Sequence, residues 1–175
     1  MVTNIFLYIS EFDRLIKSKI HYLVLIERYQ DMSFKLLTLT DTSRVRLRRR
    51  FEEYYRSETI TIKNNGCHIW NGAVVKRGPR RNTKDYGVVK ITPPAPGKKA
   101  FQAYVHIIVN FLHNGTIPHK GFTDISHLCH NSLCVNIRHI VKEDHQVNID
   151  RQKCNNTTEC HGHTFNGNEY NDCII

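Results

Sequence analysis

Six cysteines and two suitably spaced histidines in this 175-residue chain add up to eight nitrogen and sulfur donors, the number two closed tetrahedral zinc sites require. The densest stretch reads Ser126-His127-Leu128-Cys129-His130-Asn131-Ser132-Leu133-Cys134-Val135-Asn136-Ile137-Arg138-His139. Cys129, Cys134 and His139 follow at intervals of five, a loop spacing that lets two thiolates and an imidazole converge on one ion. Cys67 is the only cysteine outside this stretch and the tail, so it is assigned as the fourth ligand, tying the middle of the chain to the loop. A second set comprises Cys154, Cys160 and Cys173 with His163 or His161; His163 is preferred, because a histidine adjacent to Cys160 is harder to bring onto the same ion. His127, two residues before Cys129, is needed by neither metal, although spacing alone leaves it open as a ligand.

An even cysteine count could also mean disulfides, but that requires an oxidising, secretory context. Residues 1–12 lack the basic start, long apolar core and small-residue cleavage site of a signal peptide. The N-x-Thr triplets at Asn155 and Asn156 therefore carry no weight. His21, His68, His106, His113, His119, His130 and His145 have no ligand-like spacing and are read as surface or core residues.

The run Ser126-His127-Leu128-Cys129-His130-Asn131, followed by Cys134, His139, Asn148 and Cys154, resembles the His-Cys box of the homing endonucleases in the ββα-metal (His-Me finger, HNH-like) nuclease superfamily. The resemblance covers about residues 67–160. It implies an α+β His-Me finger with two structural zinc ions, in which His127 is the general base, Asn148 binds a catalytic Mg²⁺, and Cys67, Cys129, Cys134 and His139 form the first zinc site. The family's upstream phosphate-clamping arginine falls, counting back without gaps from Ile117-Pro118, on Lys98, with Lys99 and the arginines near position 80 as alternatives. Lysine is a point charge rather than a bidentate fork, so this is a departure from the family pattern.

The residue types suit those roles. Phosphodiester hydrolysis needs a deprotonated water in line with the leaving oxygen and positive charge at the phosphate. Imidazole can take that proton near neutral pH, and a hard cation needs only one or two oxygen ligands besides substrate and water. The strand Asp124–Leu128 should end at the base, and Val141–Arg151 is expected as a helix carrying Asn148, so that strand, zinc loop and helix bring base and ion side by side. Asp144 or His145 could serve as base or metal ligand instead, but their neighbours do not match the family's pattern and a polar role on the helix face suffices for them.

The DNA-facing surface is expected from residues 66–108, where three strand-like runs, Cys67–Val75, Tyr86–Ile91 and Ala100–Val105, are bounded by turn residues. Lys76, Arg77, Arg80, Arg81 and Lys84 crowd the first turn, and Lys90 and Lys99 lie on or beside the strands. A twisted antiparallel ribbon fits the major groove. The chain carries 25 Lys and Arg against 16 Asp and Glu, a net charge of +9, which makes double-stranded DNA the natural partner.

Residues 1–40 are read as an N-terminal helical extension, in which Phe6, Ile9, Phe12, Leu15, Ile16 and Ile20 keep helical spacing, and residues 41–175 as the zinc-stabilised nuclease domain with its His-Cys box at 126–173. The apolar run Tyr22–Ile26 is too short to span a bilayer. Ser43–Arg56 reads as a basic helix with Ser43 as N-cap. The resemblance, together with the basic charge, implies a site-specific DNA endonuclease of homing type, intracellular and nuclear if eukaryotic. Homodimerisation is left open by the short tail. The competing expectation is a zinc-stabilised DNA-binding protein without catalysis.

Overall fold

A computed structural model of the chain describes residues 31–76, 85–93, 99–119, 122–155 and 157–175. The helical spacing between Phe6 and Ile20 and the apolar run at 22–26 lie outside these residues. A short helix α1 (31–37) leads to α2 (Asp41–Arg56). Its N-cap is Thr40, not Ser43: Thr40 is extended and its side chain accepts the Ser43 N–H at 3.3 Å. Beginning there puts Asp41 in the first turn and Arg56 in the last, both favourable against the helix dipole. Met32, Leu36 and Leu39, on the N-terminal side of the division expected at residue 40, are buried in the same cluster as Leu47 and Phe51.

Four small antiparallel sheets follow. β1 (Ile60–Ile62) pairs with β2 (His68–Trp70). β3 (Val74–Lys76), β4 (Asp85–Ile91) and β5 (Phe101–Tyr104) form a three-stranded sheet. The run expected to be continuous from Cys67 to Val75 is thus broken between β2 and β3. The cause is Trp70, buried with its Nε1 donating to the Ala73 carbonyl at 2.9 Å, which forces the chain to step around the indole.

Register divides the sheet into two faces. Val89, Ile91, Phe101 and Ala103 point inward, and the opposite face carries Val75, Tyr86, Lys90, Gln102 and Tyr104. The strand expected to run to Val105 turns instead into helix α3 (Val105–Asn114) directly after Tyr104. This helix, apolar on nearly every side, is the centre of the core, with Val105, Ile107 and Ile108 almost wholly buried. It stops at Gly115, whose left-handed backbone (φ 67°) lets its N–H reach the Phe111 carbonyl.

β6 (Thr123–His127) pairs with β7 (Ile140–Asp144), and α4 (His145–Arg151) crosses that ribbon. Val141–Asp144, expected at the start of a helix, is therefore strand. Within this stretch Glu143 is buried and paired with Arg151. The helix starts four residues late, at His145, capped by Asp144, whose carboxylate accepts the Gln146 N–H at 2.8 Å. A last hairpin, β8 (His163–Phe165) and β9 (Asn168–Tyr170), closes the chain. Among the described residues no helix is long and apolar enough to cross a membrane.

Candidate metal centres and nucleic-acid face

Two four-residue clusters have ligand atoms lying within 4.8 Å of one another: Cys67, Cys129, Cys134 and His139, and Cys154, Cys160, His163 and Cys173. All six cysteines are free thiols. A tetrahedral zinc ion with bonds of about 2.0 to 2.3 Å separates its ligand atoms by roughly 3.3 to 3.8 Å. In the first cluster Cys67 Sγ and Cys134 Sγ each lie 3.6 Å from His139 Nδ1. In the second, Cys160 and Cys173 lie 3.3 Å and Cys154 3.7 Å from His163 Nε2. Both donor sets fit zinc, with no position left over for water. His161 is exposed and outside the second cluster.

The first cluster joins distant parts of the chain. Cys67 follows the β1–β2 turn, Cys129 and Cys134 lie on the loop after β6, and His139 ends a 3₁₀ turn before β7. Gly66 precedes Cys67 with φ 78°, and an added Cβ there would sit 3.5 Å from the His139 ring. Side-chain hydrogen bonds reinforce the join: Asn136 Nδ2 donates to the Gly66 carbonyl at 2.7 Å. A hydrogen bond from Cys129 holds the Cys134 thiol down at about 5, while the same bond drives Cys129 up. Burial pushes Cys67 up.

The second cluster is fastened to α4. Asp150 Oδ2 lies 3.1 Å from His163 Nδ1, holding the proton there and leaving Nε2 to face the thiols. Arg151, 1% exposed, binds both oxygens of Glu143 and also donates to Cys173 Sγ at 3.4 Å. Ser126 donates to Glu143 from the neighbouring strand. Burial raises the Cys173 thiol to about 12. Burial also pushes Cys160 up, but N–H groups of Cys173 and Gly162 outweigh it and bring that thiol down to about 7.

His127, at the end of β6, sits with Nε2 3.1 Å from the Cys134 carbonyl oxygen. A carbonyl only accepts, so Nε2 carries the proton and Nδ1 is the ring's basic nitrogen. The first cluster therefore fixes the orientation of this imidazole through the backbone of one of its own ligands. His127 also meets a row of rings. Tyr86 and Tyr104 on the outward face of the sheet lie 5.7 Å apart, each within 6 Å of the His106 ring (5.4 and 5.9 Å), and His106 lies 4.9 Å from His127. The outward sheet face thus runs without a break into the His127 site. His106 was assigned no role from the sequence. Its signal was the alternation Gln102, Tyr104, His106, which continues the outward face one step past the strand end.

Asn148 lies on α4, across β6 from His127. Strand alternation turns Asp124 and Ser126 toward α4 and Ile125 and His127 toward α3, so histidine and asparagine flank one strand on opposite faces. The Asn148 amide nitrogen donates to Asp124 Oδ2 at 2.7 Å, and His145 Nδ1 lies 2.7 Å from the same oxygen. Hard oxygen donors at the surface suit Mg²⁺ or Mn²⁺. Asp124 was not singled out in the sequence, and nothing in its local spacing distinguishes it.

Of the expected DNA contacts, Lys90 stands exposed on the outward face, while Lys76 alternates to the other face opposite Asp85 and Lys99 precedes β5. Arg77, Arg80, Arg81, Lys84 and the expected clamp Lys98 lie outside the described residues. On the flank of the sheet, Arg50 of α2 donates to the Lys90 carbonyl at 2.8 Å.

A family model described as the zinc-binding loop region of homing endonuclease matches residues 72–174. The chain belongs to this family. The match takes in seven of the eight clustered ligands together with His127 and Asn148, leaving Cys67 just ahead of it. Searches of curated proteins and of solved structures returned no match. Membership gives the chain a nuclease-like, DNA-binding character, and the two Cys/His clusters supply the zinc-binding capacity the family's loop is named for.

Proposed function

We propose that this chain is a site-specific DNA endonuclease of homing type built on a His-Me finger, with His127 as general base. The observation that carries the reading is the hydrogen bond from His127 Nε2 to the Cys134 carbonyl, which fixes this imidazole at the rim of the outward sheet face. Duplex DNA would lie along Tyr86, Lys90, Gln102 and Tyr104, with basic turn residues on its phosphates. From there a scissile phosphate reaches β6 between His127 on one face and Asn148 on the other. His127 takes the proton of the attacking water, and Asn148 holds the divalent ion through its amide oxygen. That ion, when bound, supplies positive charge at the departing oxygen. Lys98 is proposed as the phosphate contact. The zinc ions are scaffolding. The reading extends to action inside the cell, in the nucleus of a eukaryotic host, and pairing of two chains would be needed for a double-strand break.

The test is incubation of the zinc-loaded chain with supercoiled plasmid and Mg²⁺ beside His127→Ala. Nicked or linear product from the wild type, falling about 10²- to 10⁴-fold in the variant with DNA binding retained, is expected. Binding without any nicking under these conditions reverses the reading in favour of a zinc-stabilised DNA-binding protein.

A further inference from the structure

Leu128 follows the last pair of the β6–β7 ladder, His127 opposite Ile140, and its backbone is held on both sides. Its N–H donates to the carbonyl of His139, a member of the first cluster, at 2.8 Å. Its own carbonyl accepts the N–H of Ile174, the residue after Cys173 of the second cluster, also at 2.8 Å. The two peptide units that follow His127 are therefore fixed from different clusters. The second of them leads into Cys129 and so into the loop whose Cys134 carbonyl holds the His127 ring.

The segment 171–174 is itself fastened at successive points before it reaches Leu128. The Asn171 carbonyl accepts from Arg151, the Cys173 N–H points at Cys160 Sγ at 3.3 Å, and Cys173 Sγ accepts from Arg151. Leu128 is buried, and a carbonyl left without its donor there is unfavourable. The place of the segment and the place of the loop are thus coupled through one backbone bond.

We propose that Ile174 is a positioning residue for His127: its N–H locks the peptide unit after Leu128, so that the second cluster as well as the first sets the orientation of the imidazole. The inference rests on the reading of His127 as general base and adds to it a group far from His127 in the chain.

Ile174→Pro deletes the N–H, whereas Ile174→Ala keeps it. In the full, zinc-loaded chain acting on supercoiled plasmid with Mg²⁺, Ile174→Pro is expected to lower kcat about ten- to hundred-fold. KM, duplex affinity and two zinc ions per chain should be retained, and Ile174→Ala should cut like the parent. Imidazole nitrogen-15 spectra of the same proteins without DNA separate orientation from general damage. The parent and Ile174→Ala should show His127 protonated at Nε2, and Ile174→Pro a mixture of tautomers. Hydrogen exchange needs no variant: the Ile174 amide of the parent should exchange about ten-fold or more slower than a free amide. If Ile174→Pro sheds zinc, that amide decides the matter. Fast exchange at Ile174, or a zinc-retaining Ile174→Pro protein with the parental His127 spectrum and kcat, overturns the proposal. A parent that never cuts, with the His127 spectrum altered in Ile174→Pro alone, removes the reading of His127 as base and leaves Ile174 as the group that orients it.

Discussion

Arg151 Nε and Nη2 bind the two carboxylate oxygens of Glu143 at 3.0 and 2.6 Å, and the guanidinium reaches on to Cys173 Sγ at 3.4 Å. One buried arginine thus connects strand β7, helix α4 and the second metal cluster. Asp150, one residue earlier, holds His163, so two successive residues of α4 hold two ligands of that cluster. Filling the cluster should therefore order the helix that carries Asn148.

Arg151→Met should leave Glu143 charged, buried and without its counterion. A loss of about 3 to 5 kcal/mol in stability is expected, measured by denaturant unfolding of the zinc-loaded protein. Zinc competition with a chromophoric chelator should show one of the two ions released more readily. Retention of both ions at wild-type affinity argues that the Cys173 contact does not position the thiolate.

Proton release reports the state of the first cluster. Cys134, held at about 5, is already a thiolate at pH 7, whereas Cys67 and Cys129 are raised and protonated. Zinc entering this cluster at pH 7 should then displace about two protons rather than three. The sign follows from the direction: a depressed thiol binds its proton only as pH falls through its folded value. The contribution of the thiols to that count should accordingly rise by about one as pH falls below about 5, lowering zinc affinity there. Calorimetry in buffers of different ionisation enthalpy, on a Cys154→Ser/Cys160→Ser protein lacking the second site, measures the number.

Trp70 is wedged between two glycines. A Cβ on Gly72 would meet its ring at 2.4 Å and one on Gly87 at 2.5 Å, closer than packing allows. Gly87→Ala should cost about 1 to 3 kcal/mol by displacing the indole. Because Trp70 is the chain's only tryptophan, its fluorescence reports both the displacement and the unfolding. An unshifted emission maximum with wild-type stability counts against the tight fit.

Lys90 separates phosphate binding from folding. It is exposed on the outward face, so Lys90→Ala should leave the unfolding temperature unchanged. Duplex binding should weaken, and the slope of log K against log salt should become shallower by about 1. An unaltered slope would remove Lys90 from the interface.

Sequence and structure diverge where local pattern competes with long-range partners. The cysteine and histidine spacing was legible because metal chemistry restricts residue type and separation together, and the clusters gather those donors. The helix expected over 141–151 begins four residues late because Glu143 has an opposite charge in the core, which a pattern of polar residues cannot reveal. The break at Trp70 and the turn into α3 after Tyr104 were missed for a related reason. Both are set by what a large or apolar side chain packs against rather than by the residues beside it.

By itself the sequence determined the donor inventory, the basic charge, the alternating strands and the box around His127, since these depend on residue identity and short spacing. Tertiary structure decided which groups share a site: Cys67 with a loop more than sixty residues away, His106 with His127, and Asp124 with Asn148. Such pairings depend on how β6, α3 and α4 cross, and that crossing is chosen by burial of α3 and by the Glu143–Arg151 pair, neither of which has a local signature.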